Sequence, residues 1–453
     1  MLRRVRLKNF KAWEEVDLEL GSVTGLFGAN SAGKTSLLQF LLLLKQTRNA
    51  TDRGLVLDFG GTEALVDLGA FEDVLHRHDR RRRLRWTLDW TVSDDLKIAD
   101  PDRPRSELFR GNLLANRGVV GLRDESPWPY ELSYCLEDRV ELTLRTTPGS
   151  DVDFELQSRG SNFEFQRNVG RAWPLPRPVK THLFPGETRS YYRNAAFLSD
   201  FELAYEKLMD SIYYLGPLRE HPKREYRWRG SRPQDVGRRG EYTLDAMLAA
   251  THDNVVLSLG YRKWRKPFQG MIAHWLRELG LIHDFCLEEI GKGSNYWRAQ
   301  VLTSPSSVET GLTDVGFGVS QVLPALVLLY YVPQGSTVLM EQPEIHLHPA
   351  VQAGLADLML NVAQTRELQI LVESHSEHLM RRLQRRVAEG SASATDVKLY
   401  FVSSDDGAAR LSDLALNEFG EIGNWPRHFF GDEMGEVAAI AEAGMTRRME
   451  SQV

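Results

Sequence analysis

The first 75 residues of the chain alternate between strand-like and helix-like patterns. Val16, Leu18 and Leu20 alternate with polar residues, which predicts a strand with one buried face. The apolar run at 23–27 predicts a fully buried strand, and a glycine turn and a leucine-rich helix follow it. The pattern therefore predicts a strand–loop–helix unit near the start of the chain.

A period-two pattern dominates the next part of the chain. Apolar residues alternate with polar ones at 84–92, 132–136, 140–144, 152–156 and 163–165. Such stretches, separated by turn residues, predict a half-buried antiparallel sheet. The intervening residues 93–130 are rich in Asp, Arg, Pro and Gly, so we interpret them as a long loop, and we expect 168–195 to be irregular.

Helices become frequent from about residue 198. Residues 268–281 predict an amphipathic helix that ends near Gly280. Strands and helices then alternate, which predicts an α/β fold with buried parallel strands. The strands are expected at 337–340, 368–372 and 397–402, and the helices at 349–364 and 377–389.

Composition excludes several classes of protein. The chain has 453 residues, a net charge of −6, 42% hydrophobic and 26% charged residues, which is typical of soluble globular proteins. Two cysteines, Cys135 and Cys286, exclude a disulfide scaffold and a cysteine-based zinc finger. No signal peptide is evident, and the longest apolar run, 37–44, is far below the roughly 20 residues needed to span a membrane. We therefore expect a cytoplasmic protein that does not span a membrane.

Charge is unevenly distributed along the chain. Residues 1–298 carry 46 basic and 42 acidic side chains, whereas residues 299–453 carry 10 basic and 20 acidic ones. This argues against a wholly basic nucleic-acid coat protein but leaves room for a basic patch in the first two thirds. Candidate basic segments either contact nucleic-acid phosphates or pair with acidic neighbours. They lie at 76–86, 219–239, 263–266 and 381–386.

Residues 28–35 match the phosphate-loop pattern GxxxxGK[ST] between a predicted strand and a predicted helix. Backbone N–H groups in such a loop point at phosphate oxygens, and the helix N-terminus adds its positive end. Lys34 would reach the β and γ phosphates of ATP or GTP, and Thr35 would hold Mg²⁺. The alternative is a glycine-rich turn matched by chance. The candidate nucleotide-binding residues here are Gly28, Asn30, Ser31, Ala32, Gly33, Lys34, Thr35 and Ser36.

The predicted strand at 337–340 ends in Glu341. A carboxylate at the end of a strand beside a phosphate loop is where P-loop enzymes order Mg²⁺ and its waters, so Thr35 and Glu341 are the candidate metal ligands. His346 and His348 are a weak ligand set of their own, and we favour a structural or nucleotide-interface role for them.

Together, residues 7–11, 28–35 and 341–349 resemble the ABC-type ATPases of the RecF, SMC and OLD group. Four further segments support the resemblance. Residues 314–321 resemble the signature motif, 374–376 carry the switch histidine, 214–226 resemble the OLD-like subgroup, and 420–432 resemble that subgroup's small C-terminal domain of unknown function.

The resemblance implies an α/β P-loop NTPase fold of the ABC ATPase head type, with a mixed sheet and an inserted antiparallel β-rich segment. It divides the chain into an ATPase core at 1–83 and 201–395, a β-rich insertion at 84–200 and a small C-terminal domain at 396–453.

The resemblance also implies a head-to-head homodimer with two ATP molecules at its interface. Lys34 and Thr35 of one subunit would face Gly316, Gly318 and Ser320 of the other, with Ser320 opening a helix. The alternative reading of this segment is a short core helix cap. Because 299–365 contain no Lys or Arg, we expect phosphate charge there to be neutralised by backbone dipoles, Mg²⁺ and Lys34.

The sequence departs from the family at the catalytic position. Many members carry Glu after the metal-binding carboxylate, whereas this chain has Gln342, whose amide cannot accept a proton as a carboxylate does. We expect slow hydrolysis, with help from Glu344 or from His375, which would contact the γ-phosphate or the attacking water. The alternative for His375 is a satisfied core histidine. No Gln lies at 67–71, where the family places its Q-loop.

Only 78 residues follow His375, which we expect to leave no room for the nuclease domain of OLD proteins. The favoured function is therefore an ATP-dependent switch that controls a partner effector. Resemblance alone suggests a nuclease in anti-phage defence as that effector. The alternatives are a RecF-like DNA-repair or clamp ATPase that uses the arginine-rich segments, and a non-hydrolysing scaffold that needs ATP only to assemble.

Overall fold

The computed structural model describes residues 1–62, 64–101, 103–160, 163–170, 173–260, 264–291, 293–426, 440 and 443. The strands, in chain order, are β1 (Leu2–Phe10), β2 (Trp13–Glu19), β3 (Val23–Gly28), β4 (Leu84–Asp100), β5 (Arg103–Arg123), β6 (Ser126–Leu136), β7 (Val140–Thr146), β8 (Phe154–Arg159), β9 (Ile212–Leu215), β10 (Tyr226–Arg227), β11 (Val256–Ser258), β12 (Arg265–Pro267), β13 (Asp284–Glu289), β14 (Tyr296–Leu302), β15 (Thr310–Gly311), β16 (Thr337–Glu341), β17 (Gln369–Glu373), β18 (Val397–Asp405) and β19 (Ala408–Asp413). The α-helices are α1 (Lys34–Asn49), α2 (Phe71–Val74), α3 (Glu187–Tyr191), α4 (Leu198–Asp210), α5 (Thr243–His252), α6 (Phe268–Glu278), α7 (Phe317–Tyr331), α8 (Pro349–Arg366) and α9 (Glu377–Ala388).

The first large sheet is antiparallel and has seven strands in the order β2-β1-β4-β5-β6-β7-β8. It confirms the predicted antiparallel sheet. The sheet is continuous across residue 83, because β1 pairs with β4 and places Val5 opposite Leu88. The proposed division into domains stays a prediction, but the β-rich segment shares its sheet with the first two strands of the chain.

The long loop predicted at 93–130 is wrong, because β4, β5 and β6 run through most of it. Glycines in this segment favour turns in the sequence-based prediction, but Gly118 lies inside β5. A Cβ atom on Gly118 would lie 2.0 Å from Cζ2 of Trp86 on the neighbouring strand. Glycine is therefore present to admit a buried indole ring, which is a packing role and not a turn.

The strand predicted at 163–165 is also wrong. Phe163 and Phe165 lie outside the strands and pack on Phe197, with ring centroids 5.3 and 6.2 Å away. The side chain of Asn194 holds this segment by accepting from the backbone N–H of Gln166 and donating to the carbonyl of residue 164. The alternation reflects an aromatic cluster anchored by an asparagine.

The second large sheet has six strands in the order β19-β18-β3-β17-β16-β9, and all neighbouring pairs except β18 and β19 are parallel. It confirms the predicted parallel strands and the predicted helices α8 and α9. Helix α6 is confirmed as well, and Gly280, with φ of 69°, follows its end. A smaller antiparallel sheet holds β10, β14, β13 and β15, and β11 pairs with β12.

Two hydrophobic clusters lie on opposite faces of the parallel sheet. Leu339 and Leu371 join the cluster that contains α1, α4 and the antiparallel sheet. Val338 and Met340 point to the other face and join the cluster built by α5 to α9. This alternation is that of strands buried on both faces, so the carboxyl edge of the parallel sheet is one of the few places where it is open to a ligand.

The side chain of Gln369 joins the two large sheets. It is buried, accepts from the backbone N–H of Leu2 (3.0 Å) and the hydroxyl of Thr337 (3.1 Å), and donates to the carbonyls of Leu2 (2.7 Å) and Gly21 (3.1 Å).

None of the helices among the described residues has both the length and the apolar character needed to cross a membrane.

Candidate nucleotide-binding site

Three neighbouring parallel strands end at one edge of the sheet. Glu341, at the end of β16, lies opposite Glu373 at the end of β17, and Glu373 lies opposite Leu26 of β3. Strand β3 ends at Gly28, where the phosphate loop begins. The carboxyl ends of parallel strands meet in this way wherever open α/β sheets bind ligands.

Contacts with neighbouring residues fix the conformation of the phosphate loop. Gly28 has φ of 136°, and a Cβ atom there would lie 2.0 Å from the carbonyl oxygen of Val402. Gly33, with φ of 106°, is the N-cap of α1. The indole N–H of Trp13 donates to the Gly33 carbonyl and to Ser36 Oγ, at 3.0 Å each. Asn30 and Ser31 are exposed, and Ala32 is buried.

Lys34 is buried within this loop. Its Nζ donates to the carbonyl oxygens of Gly28 (3.0 Å) and Ala29 (2.7 Å). Burial lowers the pKa of the ammonium, and the nearby carboxylates of Glu373 and Glu344 oppose that shift. Lys34 thus lies between the loop and the acidic strand ends, as the sequence pattern requires of a lysine that reaches phosphate oxygens.

Two buried carboxylates lie at the strand ends, and one of them, Glu373, interacts with Lys34. Glu341 accepts a hydrogen bond of 2.8 Å from the Tyr214 hydroxyl, and burial raises the pKa of Glu341 to about 7. Burial also raises the pKa of Glu373, while a hydrogen bond with Thr35 opposes the shift. A hydroxyl and two carboxylates are the hard oxygen ligands that suit Mg²⁺, so the residues present fit that cation.

Glu344 and His375 lie beside this group. Glu344 Oε1 accepts the backbone N–H of His375 at 2.7 Å, and burial raises the pKa of Glu344. Burial and the charge of Lys34 lower the pKa of His375. Glu344 Oε2 and His375 Nε2 are buried without a hydrogen-bond partner among the described residues. Gln342 has φ of 43°, and its backbone N–H donates to the Glu373 carbonyl at 2.8 Å.

The signature-like segment forms the start of α7. Gly316 is the N-cap of α7, which begins at Phe317. The expectation that Ser320 opens this helix is therefore wrong, since Ser320 lies in the fourth helical position and its hydroxyl donates to the Phe317 carbonyl at 2.9 Å. Gly318 lies against Leu281. Within the described ranges, no hydrogen bond joins this segment to residues 28–36.

His348 has a structural contact. Its Nδ1 accepts the backbone N–H of Ala350 at 3.3 Å and so caps α8. Both His346 and His348 are exposed. Among the residues that the structure describes, no group of three or more His, Cys, Asp or Glu side chains is arranged to hold a metal ion. The capping contact supports the structural role favoured for this histidine.

Sequence reasoning missed two side chains at this edge, Glu373 and Arg219. Glu373 carried a usable signal, because it ends a predicted buried strand as Glu341 does. Arg219 is 8% exposed and interacts electrostatically with Tyr214, Glu341 and Glu344. It corrects the expectation that Lys34 is the only side-chain cation here.

The basic segments are largely paired with acidic residues. Arg80 pairs with Glu72 and Glu125, and Arg382 and Arg386 both pair with Asp357. The other pairs are Arg81–Asp79, Arg82–Glu14, Arg381–Glu377, Arg385–Glu389, Arg224–Asp314 and Arg232–Asp253. Lys263 lies outside the described residues. The structure thus favours the paired alternative for 80–82 and 381–386.

Comparison with known proteins gives two family matches. Residues 1–108 and 269–380 match the model described as an AAA ATPase domain. Residues 393–440 match a model described as a protein of unknown function, DUF3696. These segments carry most of the motifs on which the resemblance was based, and the α/β P-loop fold with a separate antiparallel sheet is confirmed.

One curated relative is an OLD nuclease from Thermus scotoductus, 46% identical over 44 residues. The match covers 10% of this chain and only 8% of that protein. Similar solved structures include an SMC head bound to the C-winged helix domain of ScpA (11% identity, TM-score 0.46, 92% and 98% of the two chains covered). Another is an SMC head from Thermotoga maritima (11% identity, TM-score 0.38, 91% and 98% covered).

Proposed function

Because the chain carries an AAA ATPase domain with a C-terminal DUF3696 segment, we propose that it binds ATP with Mg²⁺ and hydrolyses it slowly. One observation carries the proposal. Lys34, at the start of a helix capped by Gly33, bonds to carbonyl oxygens of the phosphate loop and interacts with the carboxylates of Glu373 and Glu344. A cation, a helix N-terminus and buried carboxylates at one sheet edge are the components that nucleoside triphosphate hydrolysis needs.

Thr35, Glu341 and Glu373 would hold Mg²⁺, which neutralises phosphate charge when bound. Lys34 binds the β and γ phosphates, and the phosphate loop excludes water from one side of them. Gln342 positions water by hydrogen bonds without taking its proton, which leaves Glu344 and His375 as the side chains that assist. Positioning without a strong base is expected to give slow turnover.

The proposed assembly is a homodimer with ATP between its subunits. In this dimer, Gly316 and the exposed Phe317 at the start of α7 would face the phosphate loop of the second copy. Such an ATP-dependent dimer would act as a switch for a partner effector. The resemblance to OLD proteins suggests a nuclease in anti-phage defence as that effector, and the 44-residue match to an OLD nuclease agrees with that resemblance.

Phosphate release tests the enzymatic proposal. The wild-type protein is expected to release phosphate slowly, Lys34→Ala to abolish release, and Gln342→Glu to raise the rate about 10-fold or more, since general-base help contributes about 10²–10⁴-fold. Fast and equal rates in the wild type and Gln342→Glu would refute the impaired-base argument.

Sedimentation tests the assembly proposal. The wild-type protein is expected to dimerise with ATP and Mg²⁺ and to stay monomeric without them, and Lys34→Ala to stay monomeric in both conditions. The same oligomer under all conditions would reject the ATP-dependent switch.

A further inference from the structure

Arg219 is a buried cation with two nitrogens that lack a hydrogen-bond partner among the described residues. It lies in the segment that follows β9 and is 8% exposed, and the two nitrogens are Nε and Nη1. Burying a charge without a partner is strongly unfavourable. A protein keeps such a group where it binds a ligand, or where another contact offsets the cost of burying its charge.

The segment around Arg219 is firmly positioned. On one side of it, the Gly216 N–H donates to the Arg238 carbonyl, and on the other the Glu220 N–H donates to the Arg239 carbonyl, at 2.8 Å each. The Tyr214 hydroxyl, just before this segment, is bonded to Glu341. The unpaired guanidinium is therefore held at the carboxyl edge of the sheet by backbone and side-chain contacts that do not involve its own nitrogens.

The charged groups around Arg219 belong to the candidate nucleotide site. Arg219 interacts with Glu341 and Glu344, and Lys34 interacts with Glu344 and Glu373. Two cations thus interact with one group of three carboxylates. Among the described residues, the hydrogen bonds of Lys34 Nζ go to backbone carbonyls, and Arg219 Nε and Nη1 have no hydrogen-bond partner. An anion with several oxygens, placed between the two cations, would satisfy both.

Building on the proposed ATPase function, we propose that Arg219 is a positioning residue for the terminal phosphate of ATP. Its guanidinium donates to oxygens of the γ-phosphate. A guanidinium presents two parallel donors that match a phosphate. ADP lacks this phosphate, so Arg219 confers preference for ATP over ADP.

Nucleotide binding to the full chain tests this inference. Calorimetric titration with ADP and with the β,γ-imido analogue of ATP, both with Mg²⁺, compares the wild type, Arg219→Gln and Arg219→Lys. Arg224→Gln is the matched control, because Arg224 lies in the same segment, is exposed and pairs with Asp314. Unfolding midpoints without nucleotide are measured for every variant.

We expect Arg219→Gln to weaken analogue binding about 10- to 100-fold while ADP affinity changes by less than about threefold. Arg219→Lys should restore part of the loss, and Arg224→Gln should bind as the wild type does. The midpoint of Arg219→Gln should stay the same or rise, because an unpaired buried cation is removed.

Two results would overturn the inference. One is unchanged analogue binding by Arg219→Gln, which leaves ATP binding itself intact. The other is an equal loss for ADP and the analogue together with a lower midpoint, which is the behaviour of a structural residue. Failure of the wild type to bind either nucleotide would instead reject the proposed ATPase function.

Discussion

Replacing Glu341 with Gln should stabilise the nucleotide-free protein, and the gain should depend on pH. Burial raises the pKa of Glu341 from 4.5 to about 7. The folded state therefore binds the proton more tightly than the unfolded state does. Below pH 4.5 both states are protonated and the raised pKa costs nothing. The cost grows as pH rises through the window from 4.5 to 7 and is constant above it.

The size of the effect follows from the shift. A shift of about 2.5 pKa units, at about 1.36 kcal/mol each, gives a cost of about 3 kcal/mol at pH 8 and under about 1 kcal/mol at pH 5. Glu341 is 6% exposed, so solvent screening reduces this little. Gln keeps an oxygen that accepts the Tyr214 hydroxyl hydrogen bond and carries no charge at either pH.

Urea unfolding followed by circular dichroism at pH 5 and pH 8 measures the difference. Glu341→Gln should gain about 3 kcal/mol over the wild type at pH 8 and little at pH 5. Glu418→Gln, the same change at an exposed position, is the matched control and should show no pH-dependent gain. An equal gain for Glu341→Gln at both pH values would refute the reasoning, because it would then not come from the buried charge.

Two packing features give further predictions. Gln369→Leu should lower the free energy of unfolding by about 2–4 kcal/mol, since it leaves the buried polar backbone groups of Leu2 without partners; a loss below about 1 kcal/mol in urea titrations would contradict this. Gly118→Val should lower the thermal unfolding midpoint by several degrees, because its Cβ overlaps the Trp86 ring. Gly186→Ala, in open space with φ of −57°, is the control, and equal midpoints for the two variants would argue against the overlap.

Local sequence signals located most of the fold. The phosphate loop, α6 and the alternating strands and helices after residue 337 follow from periodicity, because each lies on a strand or helix with a regular buried face. Strand β5 was missed because a glycine inside it makes room for a side chain of the neighbouring strand, which is distant in sequence. Gly118 makes room for Trp86, and nothing within five residues of it indicates that.

The candidate site was predicted unevenly for the same reason. Lys34 and Glu341 are identified by short motifs in a recognisable order. Arg219 carries no such signal, because the sequence alone does not distinguish an arginine that becomes buried from one that stays on the surface. Glu373 lies between these cases: its place at the end of a strand is visible, but its bond with Thr35 depends on two strands lying side by side.

The position of β3 in the parallel sheet has a consequence for biosynthesis. Its hydrogen-bonded neighbours are β17 and β18, which are encoded more than 300 residues later. At a synthesis rate of about 5–20 residues per second, residue 402 leaves the ribosome about 20 to 75 s after residue 28. During that interval the leucine-rich α1 lacks part of the surface that buries it. The nascent chain therefore exposes an apolar helix for many seconds, which makes the first eighty residues a segment for chaperones to shield.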